Sequence, residues 1–317
     1  MKILILSPVA AEAVQRLKRE HDVLVAVGVP EAALPSLIRD REILVFRSGV
    51  NVSAELMGAA PDLKLLVRAG SGTDNIDMAH LDARGLELVR IPEPGARAVA
   101  ELTFGLMLSL ARKVLWADAM WRRGHWVKNE SSGYLLRGKV LGIVGAGNIG
   151  ATVGEMGAAW GMEPIGCVSR PSAGAETRLR THGIRLASFE EVVQNSDFLC
   201  LHVPLVRETR GMIDAAVLGR VKPGSFLINM SRGGVVDEHA LRGALVSDAR
   251  LRGAALDVHA MEGHGNISPL VDLQNVILTP HIGSTTVDTQ REIGERVVEI
   301  TNQFAGSLAR TRQPETA

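Results

Sequence analysis

The sequence predicts an α/β protein built from two doubly wound parallel sheets. Short runs rich in Val, Ile and Leu alternate with longer stretches of helical periodicity, a pattern typical of parallel strands covered by helices on both faces. This alternation occurs twice, and a long apolar segment of helical spacing separates the two series. A chain of 317 residues with 46% hydrophobic positions is long enough to bury two separate cores.

The strands of each series follow from their apolar runs. The first series contains KILILS, DVLVAVG, EILVFRS, LKLLVRAG and LELVRI, with helical segments between them, and it resembles a small flavodoxin-like domain. The second series begins at Lys139 and contains VLGIVG, IGCVS, DFLCLHV, SFLINMS, AALDV and VILTPHI. This second half is larger and carries the glycine-rich turn.

Two helical segments determine the expected domain boundaries. Residues 98–121 are apolar at helical spacing and lack an internal proline, which predicts one long helix that crosses from one domain to the other. An amphipathic segment after Pro280 predicts a final helix that returns to the first domain. We therefore expect a discontinuous substrate domain of residues 1–97 plus 283–317 and a dinucleotide-binding domain of residues 98–282.

Composition excludes several classes of function. Acidic and basic residues balance at 35 each, so the chain has no long-range field to attract nucleic acid or an anionic membrane. Its longest apolar run, residues 102–111, is about half the length that a bilayer span requires. Cys167 and Cys200 lie in apolar runs without metal-ligand spacing, which favours buried free thiols in a reducing compartment. We expect a cytoplasmic protein without metal.

The sequence GAGNIG lies directly after the strand VLGIV and directly before a helical pattern, the context of a dinucleotide-binding turn. Gly145 permits the tight turn, Gly147 lets the main chain approach a pyrophosphate, and Gly150 lets helix and strand pack closely. The helix N-terminus supplies amide donors and a positive dipole end. The second domain is therefore predicted to be a Rossmann domain that binds a cofactor through these glycines and through Asn148 and Ile149.

The end of the next strand distinguishes NAD from NADP. An acidic residue there accepts hydrogen bonds from the adenosine ribose of NAD, whereas an arginine accommodates the 2′-phosphate of NADP. Here the strand runs into Ser169 and Arg170, a hydroxyl and a guanidinium. The sequence favours NADP, and NAD is possible if Arg170 is a solvated loop residue.

The motifs GAGNIG, LHVPLVRETRGMID, NMSRGGVVDEHAL, GAALDV and TPHIGSTT together resemble the D-isomer-specific 2-hydroxyacid dehydrogenases, which include phosphoglycerate dehydrogenases and glyoxylate and hydroxypyruvate reductases. The resemblance spans almost the whole chain. It implies hydride transfer between NAD(P)H and a small 2-keto acid in a cleft between two domains. It also implies a homodimer, with Trp116, Trp121 and Trp126 near the contact. The alternative is a corepressor of the same fold, in which nucleotide binding drives protein association.

The resemblance carries three catalytic roles onto Arg232, Glu262 and His281. Arg232 would hold the substrate carboxylate and carbonyl oxygen with its planar guanidinium group. His281 would protonate that oxygen, and Glu262 would fix the imidazole tautomer from behind. Each residue also has a purely structural interpretation: a turn cap, a solvated loop acid and a histidine at a strand end.

Further roles come from the same resemblance. Asp257 is expected to accept a hydrogen bond from the nicotinamide carboxamide. The main-chain amides of Ser71 and Gly72 are expected to hold the substrate carboxylate, and Arg47, next to Ser48, is expected to face the distal end of the substrate, where it could bind a phosphate. The remaining cofactor-binding positions are His202, Pro204, Thr209 and Gly283.

One departure from the family pattern lies beside the catalytic glutamate. The family usually follows this glutamate with proline, but here Gly263 follows Glu262, which predicts a looser loop and a less certain aim of the carboxylate. His259 and His264 flank the loop and are expected to be bystanders, because no third ligand suggests a metal. The identity of the 2-keto acid stays open.

Overall fold

The computed structural model describes residues 1–47, 49–70, 72–246 and 250–311. Contacts between Cα atoms divide the chain into two units, Met1–Gly95 with Ser284–Ala317, and Ala96–Gly283. The sequence placed the boundaries after residues 97 and 282, where the structure has them after residues 95 and 283. Each unit contains its own parallel sheet, which confirms the predicted fold class.

The first unit begins with a five-stranded sheet. Its strands are β1 (Lys2–Ile5), β2 (Asp22–Val25), β3 (Ile43–Phe46), β4 (Leu65–Arg68) and β5 (Glu87–Arg90). Its helices are α1 (Ala11–Glu20), α2 (Leu34–Ile38), α3 (Ala54–Gly58) and α4 (Met78–Ala83), with a 3₁₀ turn at Glu31–Ala33. The strand order β2-β1-β3-β4-β5 is that of flavodoxin-like folds.

The second unit contains a seven-stranded parallel sheet. Its strands are β6 (Val140–Val144), β7 (Glu163–Cys167), β8 (Arg185–Leu186), β9 (Phe198–Leu201), β10 (Ser225–Asn229), β11 (Leu251–Leu256) and β12 (Val276–Leu278), in the order β12-β11-β10-β9-β6-β7-β8. The helices that follow β5 are α5 (Glu93–Ala111), α6 (Val114–Arg122), α7 (Asn148–Ala159), α8 (Ala173–Thr181), α9 (Phe189–Asn195), α10 (Ala215–Leu218) and α11 (Glu238–Val246). Among the strands, sequence reasoning missed β8, because two residues are too few to show a period.

The prediction of one long helix over residues 98–121 is wrong. Two helices, α5 and α6, meet at Lys113, whose φ of 53° lies in the left-handed region. A left-handed residue ends a helix because the ladder of main-chain hydrogen bonds cannot continue through it. The Lys113 amide instead donates to the Leu110 carbonyl at 3.2 Å. The apolar spacing resumes at Val114, so the hydrophobic pattern alone does not reveal the break.

The sheet of the second unit is buried on both faces. Phe198 and Cys200 of β9 belong to one apolar cluster, and Leu199 and Leu201 of the same strand belong to another. Successive side chains of a strand point to opposite faces, so each cluster fills one side of the sheet. The polar loops are thereby confined to the two edges where strands begin and end.

The last helix, α12 (Val287–Thr311), packs against α1 in the first unit. Ile293 and Val297 join the buried residues Ile3 and Leu17 in one cluster. The two helices approach closely at Gly294, where an added Cβ would lie 2.8 Å from the Ala13 Cβ. The sequence placed an amphipathic helix here from its periodicity, and the glycine permits the close contact.

Both cysteines are buried and free, as predicted. Burial raises the pKa of the Cys167 and Cys200 thiols, which makes them poor nucleophiles. Among the residues that the structure describes, no helix is both long and apolar enough to cross a membrane. The same residues contain no cluster of side chains suited to a metal ion.

Two glycines of α12 provide a matched test of this packing. Gly294→Ala should destabilise the protein by about 1 kcal/mol, because overpacking at the α1 contact outweighs the helix propensity of alanine. Gly306→Ala should stabilise it by up to about 1 kcal/mol, since that glycine has open space around it. Thermal unfolding of both variants measures the difference. Equal shifts of the same sign would contradict the close contact.

Candidate functional site

The turn between β6 and α7 has the shape that its glycines predicted. Gly145 has a φ of 91°, and an added Cβ there would lie 2.7 Å from the His202 carbonyl oxygen. A Cβ at Gly150 would lie 2.5 Å from the Gly145 carbonyl oxygen. Gly147 is exposed, and apart from its neighbours in the chain no described atom lies within 4 Å of the place where its Cβ would be. Gly145 and Gly150 therefore serve close packing, whereas Gly147 leaves the main chain open to an approaching ligand.

Helix α7 presents its N-terminus at the same turn. Gly147 is the N-cap and supplies no side-chain acceptor, so the first amides of the helix keep their hydrogen-bonding capacity. Asn148 is exposed and Ile149 is half-buried. These amides and the positive end of the helix dipole suit a pyrophosphate. The residues present therefore fit a dinucleotide.

The end of β7 adjoins this turn. The Cys167 carbonyl oxygen accepts hydrogen bonds from the amides of Gly145 at 3.1 Å and Ala146 at 3.0 Å. Ser169 and Arg170 follow after one residue, Val168, and both are exposed. Arg170 makes no ion pair with any described residue. The hydroxyl and the guanidinium are therefore near the glycine-rich turn, without an acidic partner for the arginine.

A second arginine reaches the turn from α8. The guanidinium of Arg178 donates from Nη2 to the Ala146 carbonyl oxygen at 3.1 Å. Sequence reasoning missed this residue. It lies 32 positions after its partner on an exposed helix, and no local pattern indicates the contact.

His202 follows β9 and contacts the glycine-rich turn through its main chain. Its amide donates to the Val144 carbonyl oxygen at 2.8 Å. Both ring nitrogens are buried without a described partner. Burial lowers the pKa of His202 to about 4, so the ring is neutral. Buried polar atoms usually have partners, and this ring therefore favours a neighbouring ligand or water.

The other predicted positions after β9 stabilise their own loop. The Thr209 hydroxyl donates to the Pro204 carbonyl oxygen at 2.5 Å and accepts from the Val206 amide at 2.9 Å. Both contacts close the segment 204–209 on itself. The assignment of Pro204 and Thr209 to cofactor binding stays a prediction.

Asp257 follows β11 and is 2% exposed. Its Oδ1 accepts from the Thr279 hydroxyl at 2.7 Å and the Ile282 amide at 2.9 Å, and its Oδ2 accepts from the Gly283 amide at 2.7 Å. A carboxylate offers about four acceptor positions, so these three hydrogen bonds leave about one position for a further donor. An added Cβ at Gly283 would lie 2.9 Å from Oδ2. Asp257 thus anchors the turn 279–283, and its expected contact with a carboxamide stays a prediction.

His281 lies in the anchored turn with a φ of 54°. Its amide donates to the carbonyl oxygens of Asp257 at 2.8 Å and Thr279 at 3.0 Å. The left-handed conformation costs a residue with a Cβ about 1–2 kcal/mol. Such strain persists where surrounding contacts impose it, as these do.

Glu262 and His281 form a hydrogen-bonded pair, with 2.9 Å between Oε2 and Nδ1. Burial opposes ionisation of Glu262, but the hydrogen bond and charge of His281 outweigh it, so the pKa of Glu262 lies below its usual value. The carboxylate is therefore charged at neutral pH. It fixes a proton on Nδ1 and leaves Nε2 to exchange a proton elsewhere.

The loop around Glu262 is held more firmly than the sequence predicted. Gly263 has a φ of 107°, a conformation that proline cannot adopt. The Asn266 side chain donates to the Glu262 carbonyl oxygen at 2.8 Å. His259, expected to be a bystander, contacts the Thr279 carbonyl oxygen through Nε2 at 2.9 Å. The loop departs from the family pattern but is fixed by side chains.

Arg232 lies in the loop after β10. Its carbonyl oxygen accepts from the Asn229 side chain at 3.3 Å, and its Nη1 donates to the Ser231 carbonyl oxygen at 2.8 Å. The next residue, Gly233, has no room for a side chain, because a Cβ there would overlap the His259 carbonyl. The loop of Arg232 therefore packs against the segment that leads to Glu262.

Arg47 follows β3 in the first unit. Its Nη2 donates to the Ser284 hydroxyl at 2.7 Å and to the Ser284 carbonyl oxygen at 3.2 Å. Burial lowers the pKa of its guanidinium, and among the described residues no carboxylate is bonded to it. This half-buried cation can therefore accommodate an anion.

The predicted carboxylate-binding turn follows β4. The Gly72 carbonyl oxygen accepts from Arg68 Nε at 2.9 Å, and Arg68 itself is 3% exposed. Ser71, like Ser48, lies outside the described residues. The buried arginine fixes the main chain at Gly72, and sequence reasoning did not foresee it.

The predicted residues of the second unit share one edge of its sheet. Each follows the carboxyl end of a strand, the edge at which ligands bind in open α/β sheets. The structure brings Glu262 and His281 into direct contact, and it packs the loop of Arg232 against the main chain of His259, three residues before Glu262. Arg47 and Gly72 belong to the first unit.

Comparisons with known proteins identify the family. A sequence profile described as "D-isomer specific 2-hydroxyacid dehydrogenase, NAD binding domain" matches residues 104–283. The chain is 38% identical over 312 residues to the D-3-phosphoglycerate dehydrogenase of Methanocaldococcus jannaschii, covering 98% of this chain and 58% of that relative. It thus spans little more than half the length of the phosphoglycerate dehydrogenases it matches.

Two further relatives match over nearly their whole length. The chain is 36% identical over 295 residues to the hydroxypyruvate reductase of Thermotoga maritima, covering 92% of this chain and 94% of that relative. The crystal structure of the TT0316 protein from Thermus thermophilus superimposes with a TM-score of 0.85 at 32% identity, covering 94% of this chain and 95% of that one. The chain therefore belongs to the family of D-isomer-specific 2-hydroxyacid dehydrogenases, as its motifs predicted.

Proposed function

We propose that this chain interconverts a small 2-keto acid and the corresponding D-2-hydroxy acid with a nicotinamide dinucleotide. The observation that carries the proposal is the Glu262–His281 pair, at the sheet edge where the loop of Arg232 packs against the segment that leads to Glu262. The nicotinamide, when bound, supplies or accepts the hydride. One of the relatives is named as a dehydrogenase and another as a reductase. These names support this activity over the corepressor alternative.

His281 would act as the acid in reduction and the base in oxidation. The Glu262 carboxylate holds Nδ1, so Nε2 is the atom that donates a proton to the carbonyl oxygen of the substrate or takes it back. The carboxylate also stabilises the imidazolium, which is the form of the ring before it donates the proton in reduction and after it takes the proton in oxidation. The pair therefore acts as one proton-exchanging unit.

Arg232 would bind and polarise the substrate. A guanidinium is planar and permanently charged, so it can hold a carboxylate and the adjacent carbonyl oxygen together. Its loop packs against the segment leading to Glu262, which supports a common site for substrate binding and proton transfer.

The second unit would be the dinucleotide-binding domain. The open main chain at Gly147 and the uncapped N-terminus of α7 suit the pyrophosphate. Ser169 and Arg170 lack an acidic partner among the described residues, which favours a 2′-phosphate and thus NADP over NAD. Asp257 and His202 would complete the cofactor contacts.

The first unit would be the substrate domain. The Arg47 guanidinium is a desolvated cation, and among the described residues its only side-chain partner is the Ser284 hydroxyl. Desolvated cations favour an anionic partner. This supports a substrate with a second anionic group, such as a phosphorylated three-carbon keto acid, over glyoxylate. Gly72 and Ser71 would hold the carboxylate at the other end.

We also propose a homodimer in the cytoplasm. Trp121 and Trp126 are 60% and 73% exposed, and their rings form an edge-on pair with centroids 5.1 Å apart. Large aromatic side chains seldom cluster on a free surface. This cluster supports an interface with a second copy, next to α6.

The activity is tested by the oxidation of NADPH and NADH with hydroxypyruvate, glyoxylate and phosphohydroxypyruvate. We expect turnover with at least one acid, and His281→Gln should lower kcat by roughly 10²–10⁴-fold because the proton donor is lost. His264→Gln is the matched control, since His264 is exposed on the neighbouring loop. Wild-type protein that binds dinucleotide but reduces no 2-keto acid would contradict the proposal.

The substrate class is tested at Arg47. Arg47→Gln should raise KM for phosphohydroxypyruvate at least about tenfold, because a charge-assisted hydrogen bond to phosphate is lost. KM for hydroxypyruvate should change little. Arg39→Gln, an exposed arginine in the same unit, is the control. An equal loss with both substrates would indicate that Arg47 only supports its contact with Ser284.

Cofactor preference is tested at Arg170. Arg170→Asp should raise KM for NADPH about tenfold or more, because a carboxylate repels the 2′-phosphate, while KM for NADH stays level or falls. The control is Arg180→Gln, since Arg180 is paired with Glu176 on α8. Unchanged NADPH kinetics in the Arg170 variant would refute the preference.

A further inference from the structure

We infer that His259 is a positioning residue for the Glu262–His281 pair. The inference deepens the proposed function, because it concerns the pair assigned there to proton transfer. His259 contacts neither hydride nor substrate in this assignment. It acts through the geometry that it imposes on the two residues that do.

The side chain of His259 holds the turn that carries His281. Its Nε2 lies 2.9 Å from the Thr279 carbonyl oxygen. The same oxygen accepts the amide of His281 at 3.0 Å. His259 and His281 therefore share one acceptor, and loss of the His259 contact releases a constraint directly beside the His281 main chain.

The main chain of His259 holds the other partner. Its amide donates to Glu262 Oε1 at 3.3 Å, whereas Oε2 of the same carboxylate contacts His281. Each of the two carboxylate oxygens thus has its own partner. One residue therefore contacts both the turn of His281 and the carboxylate of Glu262.

The ring of His259 works as a fixed donor. A carbonyl oxygen can only accept, so the proton of the neutral ring lies on Nε2. The other nitrogen, Nδ1, is buried without a described partner. This arrangement suits a permanent structural hydrogen bond and not a proton relay.

The local backbone explains why such a donor is needed. His281 adopts a left-handed conformation, which surrounding contacts must impose. Gly263 lacks the rigidity that a proline would give the loop. Without that constraint, the orientation of Glu262 depends on specific hydrogen bonds. The His259 amide contacts the Glu262 carboxylate, and the His259 ring contacts the turn that carries His281.

The test separates the donor from the bulk of the ring. His259→Phe keeps the ring volume without a donor, His259→Met keeps length without a donor, and His259→Gln keeps a donor at similar reach. We expect the Phe and Met variants to lose about tenfold in kcat, with KM for the dinucleotide unchanged, because small misplacements of catalytic groups are costly. The Gln variant should recover most of the loss.

A second readout needs no turnover. Titration of the Glu262 carboxylate by ¹³C NMR should show a higher pKa in the Phe and Met variants than in wild type. A weaker hydrogen bond to His281 opposes the effect of burial less, so the pKa of Glu262 should rise, whereas the hydrogen bond from the amide of residue 259 is kept in every variant. The Gln variant keeps a donor but lacks an imidazole charge, so a wild-type pKa in that variant assigns the rise to the hydrogen bond and not to the lost charge. His264→Phe, on the exposed part of the loop, should leave both kcat and this titration unchanged.

Two results would overturn the inference. One is wild-type kcat and an unshifted Glu262 titration in folded Phe and Met variants. The other is an equal loss in the Gln variant, which would indicate ring volume instead of the hydrogen bond. Circular dichroism and dinucleotide binding establish folding. If wild-type protein reduces no 2-keto acid, the proposed function fails, whereas the NMR titration still decides the role of His259.

Discussion

A carboxylate buried at the end of β11 holds the turn of His281 in place. Asp257 accepts one hydroxyl and two amide hydrogen bonds from the turn 279–283, and its carbonyl oxygen accepts the amide of His281. Burial of a charge is costly without such partners, so the turn and the carboxylate stabilise each other. The strained main chain of His281 follows from this arrangement. Replacing the Asp257 carboxylate would remove the acceptor that the Thr279 hydroxyl and the two amides share, and it would release the turn.

The parallel sheet places this turn next to other residues of the candidate site. Parallel strands end at a common edge, so residues far apart in sequence emerge beside one another. Asp257 follows β11 and His281 follows β12, a neighbouring pair with three residues in register. Arg232 follows β10, the next strand, and the loop after it cannot accommodate a side chain at Gly233 because the main chain of His259 lies against it. Because both faces of the sheet are covered by apolar side chains, the polar side chains of the candidate site lie in the loops at this edge.

Local patterns in the sequence predict part of this arrangement. Apolar runs gave the long strands, and the glycine spacing gave the turn before α7, because both signals are contained in a few adjacent residues. The break at Lys113 left no trace in hydrophobic spacing, since the helical pattern resumes directly after it. The contacts of Arg178 and His259 join positions 32 and 20 residues apart. Such contacts depend on tertiary packing, so no local pattern indicates them. The resemblance to a family supplied the catalytic roles, which composition and periodicity could not.

The loop of Glu262 shows how rigidity can be obtained in different ways. A proline limits the main chain by its own ring, whereas Gly263 gives the chain the freedom to reach a φ of 107°. That freedom carries an entropic cost on folding, and hydrogen bonds from Asn266 and His259 offset it. The order of the loop then depends on specific donors and not on covalent geometry. Since the His259 amide contacts the Glu262 carboxylate itself, the stability of the loop and the ionisation of the Glu262–His281 pair are physically coupled. A change that loosens the loop should therefore alter the ionisation of this pair before it unfolds the sheet beneath.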